Sequence, residues 1–130
     1  MLNKIGVASA IALAVFSLAS PAMASSAVMC EGKGGEAVVN LSTMSVVQVI
    51  GAYAKIGDAA YSTGPERGEG APFAVGQAFG EGDAMMIDFV DTNFEDILVG
   101  LRLNWQRDDE IWIGTLTSGD TTVEVSCTSG

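Results

Sequence analysis

From Glu36 onward the chain alternates short apolar stretches with Gly, Asp, Ser and Thr, a pattern that marks strands joined by tight turns. The cleanest stretch is Ile97–Gln106, where Ile97, Val99, Leu101, Leu103 and Trp105 fall on one side and Leu98, Gly100, Arg102, Asn104 and Gln106 on the other. A period of two held over that length belongs to a strand with one face in a core. Ala37, Val39 and Leu41 alternate in the same way within Glu36–Ser42, as do Met85, Ile87 and Phe89, and Val123, Val125 and Cys127 within Thr121–Cys127. Phe73, Val75 and Phe79 are expected on one side of a strand that ends in a hairpin turn at Gly80-Glu81-Gly82-Asp83.

Val46–Lys55 is a longer run rich in β-branched residues. Its Val46, Val49, Ile50 and Tyr53 also fit helical spacing, so periodicity leaves a strand and one short helix both open there. Asp91-Thr92-Asn93, Arg107-Asp108-Asp109 and Ser118-Gly119-Asp120 supply further turns, the second leading into a strand over Glu110–Thr117. Roughly seven strands joined this way predict an all-β fold with at most one short helix, a small antiparallel β-barrel or sandwich. Closure would protect the edge strands. Tyr61–Gly70, with Ser62-Thr63-Gly64-Pro65 and then Glu66-Arg67-Gly68-Glu69-Gly70, reads as an exposed loop. Tyr61, Ser62, Thr63, Glu66 and Arg67 are its candidate binding residues, since function concentrates in loops carried by a rigid scaffold.

The first residues follow a different rule. Lys4, an apolar run from Ile5 to Leu18, and Ala22-Met23-Ala24 after Ser20-Pro21 match the three parts of a secretory signal peptide, with cleavage expected after Ala24. The run is shorter than the roughly 18 apolar residues of a membrane span, and charges or glycines interrupt every later hydrophobic run. The sequence thus divides into a signal peptide, 1–24, and a single exported domain, 25–130, destined for a periplasm or the cell exterior. Cys30 and Cys127, the two cysteines, sit near the two ends of that domain. In an oxidising compartment they are expected to form one disulfide. The alternation of the last strand puts Cys127 on its apolar face, which suits a buried bridge.

The expected mature chain keeps 5 basic and 16 acidic side chains, a formal charge of −11. Such a field repels nucleic acid and anionic lipid, and a solvated acidic surface that maintains solubility is the simpler reading of it, with steering of a basic partner as the alternative. No histidine is present, so serine or cysteine hydrolysis through an imidazole base is excluded and most zinc and copper sites are removed. No phosphate-binding or dinucleotide motif appears, and no cofactor or metal is expected. Asp91-Thr92-Asn93-Phe94-Glu95 opens like a calcium loop but continues with Asp96 where Gly is needed and ends on Arg102, so an ordinary acidic turn is expected. Asp88 is expected to face water, opposite the inward Met85, Ile87 and Phe89. Trp105 and Trp112 read as core filling, with a ligand pocket as the alternative, and Tyr61 as either a packing lid or a recognition residue. With no catalytic residues identified, the expectation is a non-enzymatic β-domain that binds a protein or small ligand. A hydrolase working through paired carboxylates is the least favoured class.

Two short stretches carry a family resemblance. Gly57-Asp58-Ala59-Ala60-Tyr61-Ser62 and Phe79-Gly80-Glu81-Gly82-Asp83-Ala84 are similar to the two motifs of the periplasmic and membrane-bound inhibitors of c-type lysozyme, and the exported β-rich plan with a cysteine at each end resembles that family too. The resemblance implies lysozyme as a partner and Glu81 and Asp83 as residues of a second motif. Glu81 stands where the family pattern has a lysine, which reverses the charge that would approach an enzyme's catalytic carboxylates.

Overall fold

A computed structural model describes residues 25–43 and 47–129. The expected signal peptide, 1–24, and Val46 lie outside the described residues. Ten strands form one sheet: β1 (Ser25–Gly32), β2 (Gly35–Thr43), β3 (Val47–Ile56), β4 (Ala59–Ser62), β5 (Ala71–Pro72), β6 (Ala74–Glu81), β7 (Ala84–Val90), β8 (Ile97–Gln106), β9 (Ile111–Ser118) and β10 (Thr121–Ser129). The run that also fitted a helix is strand β3, and the described residues contain no helix. The count exceeds the roughly seven expected, because β1 precedes the stretch where the alternating pattern begins and β4 and β5 are too short to show a period of their own.

The strand order is β5-β4-β3-β2-β1-β10-β9-β8-β7-β6, so the first and last long strands meet in the middle of the sheet. Every pair is antiparallel except the two-residue contact of β4 with β5. The sheet curls until β3 comes beside β6, giving a nearly closed barrel. No ladder joins these two strands. Each carries a bulge: Ile50 is the extra residue of β3, opposite Asn40 and Leu41, and Gly76 is the extra residue of β6, between Val75 and Gln77. The outermost strand at one end of the order holds Pro72, which has no N–H to offer. Bulges and proline are the devices that stop an unpaired edge from recruiting another strand.

The alternating residues line the interior. Ala37, Val39 and Leu41, Met85, Ile87 and Phe89, Val99, Leu101 and Leu103, and Val123, Val125 and Cys127 are all buried in one core. Cys30 of β1 and Cys127 of β10 are directly opposite in the ladder, their Cα atoms 4.0 Å apart, and their sulfurs are bonded. The expected disulfide therefore joins the chain's two end strands inside the barrel.

The bulges also account for two departures from the simple pattern. The extra residue at Gly76 reverses the alternation of β6, so Val75 points inward while Phe79 points out and is 48% exposed. Phe79 therefore does not share a face with Phe73 and Val75 as the spacing predicts. A similar register shift beside Val90 leaves Ile97 outside the core that Val99 begins.

Two-residue turns close several hairpins. Gly57-Asp58, Gly82-Asp83 and Gly119-Asp120 each put glycine first, at φ 59°, 60° and 57°, the place where a hairpin turn needs left-handed backbone. Charged residues such as Glu31, Glu36, Lys55, Arg102 and Glu124 occupy outward positions of the wall. That arrangement is the reverse of a lipid-facing apolar band.

Candidate functional site

Loop 63–70 connects β4 to β5 and folds back over the outer side of β3. Thr63 holds its start: its N–H donates to the Ala52 carbonyl at 3.0 Å, and its Oγ1 accepts from the Ala52 N–H at 3.0 Å. Ser62 Oγ accepts from the Gly64 N–H at 3.1 Å and donates to the Gly64 carbonyl, forming a local turn. Ser62 is buried and its carbonyl also accepts from the Phe73 N–H at 3.2 Å. The two hydroxyls singled out from sequence are therefore engaged with backbone, where they shape the loop.

Tyr61 belongs to an aromatic stack. Its ring lies 5.7 Å from that of Phe73, which lies 4.4 Å from that of Phe89, all nearly parallel. Of the two roles open to Tyr61, the stack shows packing, with the ring half-buried against the core. Phe73 sits in this core immediately before β6.

Arg67 and Glu66 remain as loop side chains with free chemistry. Glu66 is exposed, and its carboxylate lies over Gly64. The Arg67 side chain lies over Gly51 of β3, where any side chain would collide with it. Its Nε is buried without a hydrogen-bond partner. Tyr53, two residues along β3, packs over Gly68 in the same way. Together Tyr53, Lys55, Asp58, Ala60, Arg67, Gly68 and Glu69 line an open depression of about 470 Å³. Sequence reasoning placed Arg67 here but missed Tyr53 and Lys55. Both face outward on β3 opposite Val38 and Glu36, a register that only the paired strands reveal.

The second motif lies elsewhere. Glu81 ends β6 and Asp83 lies in the β6–β7 turn, at the opposite end of the barrel from the Gly57-Asp58 turn, since Gly80 abuts Val47 at the start of β3 while Gly57 follows its end. Asp83 approaches Arg107 at 3.6 Å in an exposed pair, and its carbonyl accepts from the Trp105 N–H at 2.7 Å. Trp105 and Trp112 meet edge to face at 5.3 Å, half-buried at this end, and help line a second open depression with Gly82, Asp83 and Ser129. They are on the inward side of β8 and β9 and also border a pocket, so the two readings of these residues meet in one place.

Asp88 departs from expectation. It points to the outer side of β7, opposite Ile87, yet it is only 2% exposed. Arg102 Nη1 donates to its Oδ1 at 2.8 Å and Gln77 Nε2 to its Oδ2 at 2.6 Å, covering it from β8 and β6. Gly100, directly opposite in the ladder, leaves room for this arrangement. Burial pushes the Asp88 carboxyl up, but the hydrogen bonds and charge of Arg102, with the Gln77 bond, outweigh it and hold the group below its ordinary value. Asp91 does form a turn: backbone N–H groups of Asp96 and Glu95 donate to its carboxylate and keep it below the usual range. Among the described residues, no three Asp, Glu, Cys or His side chains are grouped to hold a metal. The chain matches no family model, no curated protein and no solved structure.

Proposed function

We propose that this protein is a non-enzymatic, exported β-domain that binds a protein segment or small ligand bearing an anionic group on the wall formed by β3 and loop 63–70. One observation carries the reading: Lys55 and Arg67, two of the five basic side chains after residue 24, line one depression beside Tyr53 on a strongly acidic chain. An arginine at a pocket wall suits a carboxylate or phosphate, and a tyrosine ring adds apolar contact. Asp58 and Glu69 at the rim favour a ligand that also carries positive charge, in keeping with a basic protein partner. The barrel interior is packed with apolar side chains, which supports a surface role for the wall. The disulfide supports export, because such bonds persist in oxidising compartments.

The test is affinity capture from the cells that make the protein, using wild type and Arg67→Met. Recovery of the bound partner is expected to fall about tenfold or more with the variant, the loss of a charge-assisted hydrogen bond. Equal recovery by both forms would overturn the assignment of this face.

A further inference from the structure

The connection between β7 and β8 is closed by four hydrogen bonds. The Asp91 carboxylate accepts from the N–H groups of Glu95 and Asp96, each at 2.7 Å. The Phe94 N–H donates to the Asp91 carbonyl at 2.9 Å, and the Asp91 N–H to the Asp96 carbonyl at 3.1 Å. The result is a stiff loop that holds Phe94 at φ 59°, left-handed backbone that a bulky side chain rarely adopts. Asn93, which tolerates that conformation far better, is one residue away. Phe94 is nevertheless 65% exposed and Ile97 is 62% exposed, the largest values among the described large apolar residues. Neither joins the core. The fold therefore holds an aromatic ring largely exposed and outside the core in a disfavoured conformation, a combination that points to function.

We propose that Phe94 and Ile97 form a preorganised apolar wedge that inserts into an apolar pocket, rimmed by basic side chains, on a folded protein partner. Aromatic residues dominate the energetics of such contacts, and a loop fixed beforehand avoids the ordering cost of binding. The charge around the wedge selects the partner. Glu95 and Asp96 flank it, Asp120 occupies the β9–β10 turn at the same end of the barrel, and all three are exposed. These acids favour a positive rim and repel nucleic acid and anionic bilayers. The wedge shares no residue with the β3 depression, so either proposal stands without the other.

The experiment places the photoreactive residue p-benzoylphenylalanine at position 94 of the full chain, in the cells that make it, and at Thr128 near the opposite end as a control. Cross-linking at 94 is expected to yield a protein whose cross-linked peptide lies in a Lys- or Arg-rimmed pocket, with a yield that falls as salt is raised. Unlabelled wild type is expected to compete, and Phe94→Gly to compete about 30-fold less well, as for loss of an aromatic anchor. Glycine accepts the left-handed backbone, so Phe94→Gly is expected to melt no lower than wild type. No cross-link at 94, equal cross-linking at 128, cross-links to lipid, full competition by Phe94→Gly, or a lowered melting temperature for that variant would each overturn the proposal.

Discussion

Arg102 of β8 reaches across to Asp88 of β7 and donates to its carboxylate at 2.8 Å, while that carboxylate, nearly sealed from water, also accepts from Gln77 of β6. The three side chains tie together the last three strands of the sheet on its outer side. β6 has a ladder partner only in β7, so Asp88 fastens an edge strand through its side chain as well as its backbone.

The two ends of this pair are not equivalent. Asp88 is buried, whereas the Arg102 side chain is 46% exposed and can turn to water if its partner is removed. Arg102→Met strands a buried charge and is expected to cost about 3 kcal/mol, whereas Asp88→Asn costs about 1–2 kcal/mol. The acid limb follows from the lowered carboxyl. Its contribution in wild type is present above the ordinary carboxylate value of 3.8 and is lost as pH falls through the still lower folded value. In Arg102→Met, burial loses its main opposition and lifts the carboxyl above its ordinary value, so the deficit relative to wild type should narrow in acid. Urea unfolding of the three proteins at neutral pH and near pH 3 checks both the order of stabilities and this reversal.

The Cys30–Cys127 bond closes a loop of 97 residues. In the chain-entropy model a loop of that size gives up to about 4.7 kcal/mol, and cross-links commonly deliver about 2–4 kcal/mol. The backbone ladder between β1 and β10 is expected to survive without the bond, so Cys30→Ala with Cys127→Ala should still fold but melt at least about 10 °C lower. Calorimetry of the oxidised wild type and the double variant measures the difference. An unchanged melting temperature would mean that the ladder alone holds the ends.

Gly114 of β9 lies between Leu103 and Val125 in the sheet, and any side chain on it would run into the Arg102 carbonyl of the adjacent strand. Gly34, in the β1–β2 turn, has open space around it but adopts φ 94°. Gly114→Ala forces two paired strands apart and is expected to cost about 2–3 kcal/mol, whereas Gly34→Ala incurs only backbone strain of about 1 kcal/mol. Equilibrium unfolding of both variants tests this ranking, and the reverse order would locate the tighter constraint in the turn.

Several features were legible without coordinates because they depend only on local chemistry and a period of two. The alternating positions of β2, β7 and β10, and those of β8 from Val99 to Leu103, are the core, the Gly-Asp turns at 82–83 and 119–120 close hairpins, and Cys127 faces inward toward the other cysteine. The site was much less legible. Arg67 could be singled out as a loop cation, but its companions Tyr53 and Lys55 come from a strand ten or more residues earlier. Their proximity depends on how the loop folds back over Gly51.

Alternation, glycine placement and the two cysteines determined a β-rich domain with at most one short helix and two cysteines that could be joined, since each follows from side-chain period, backbone freedom or bond chemistry within a short stretch. Tertiary structure decided the rest. The bulge at Gly76, invisible to a periodic pattern, turned Phe79 outward, and the curl of the sheet brought β3 beside β6 without a ladder between them. Cross-strand register buried Asp88 between Arg102 and Gln77, and a closed turn turned Phe94 out to solvent. Register and closure are relations between distant segments, and a one-residue shift reverses the face of every side chain beyond it.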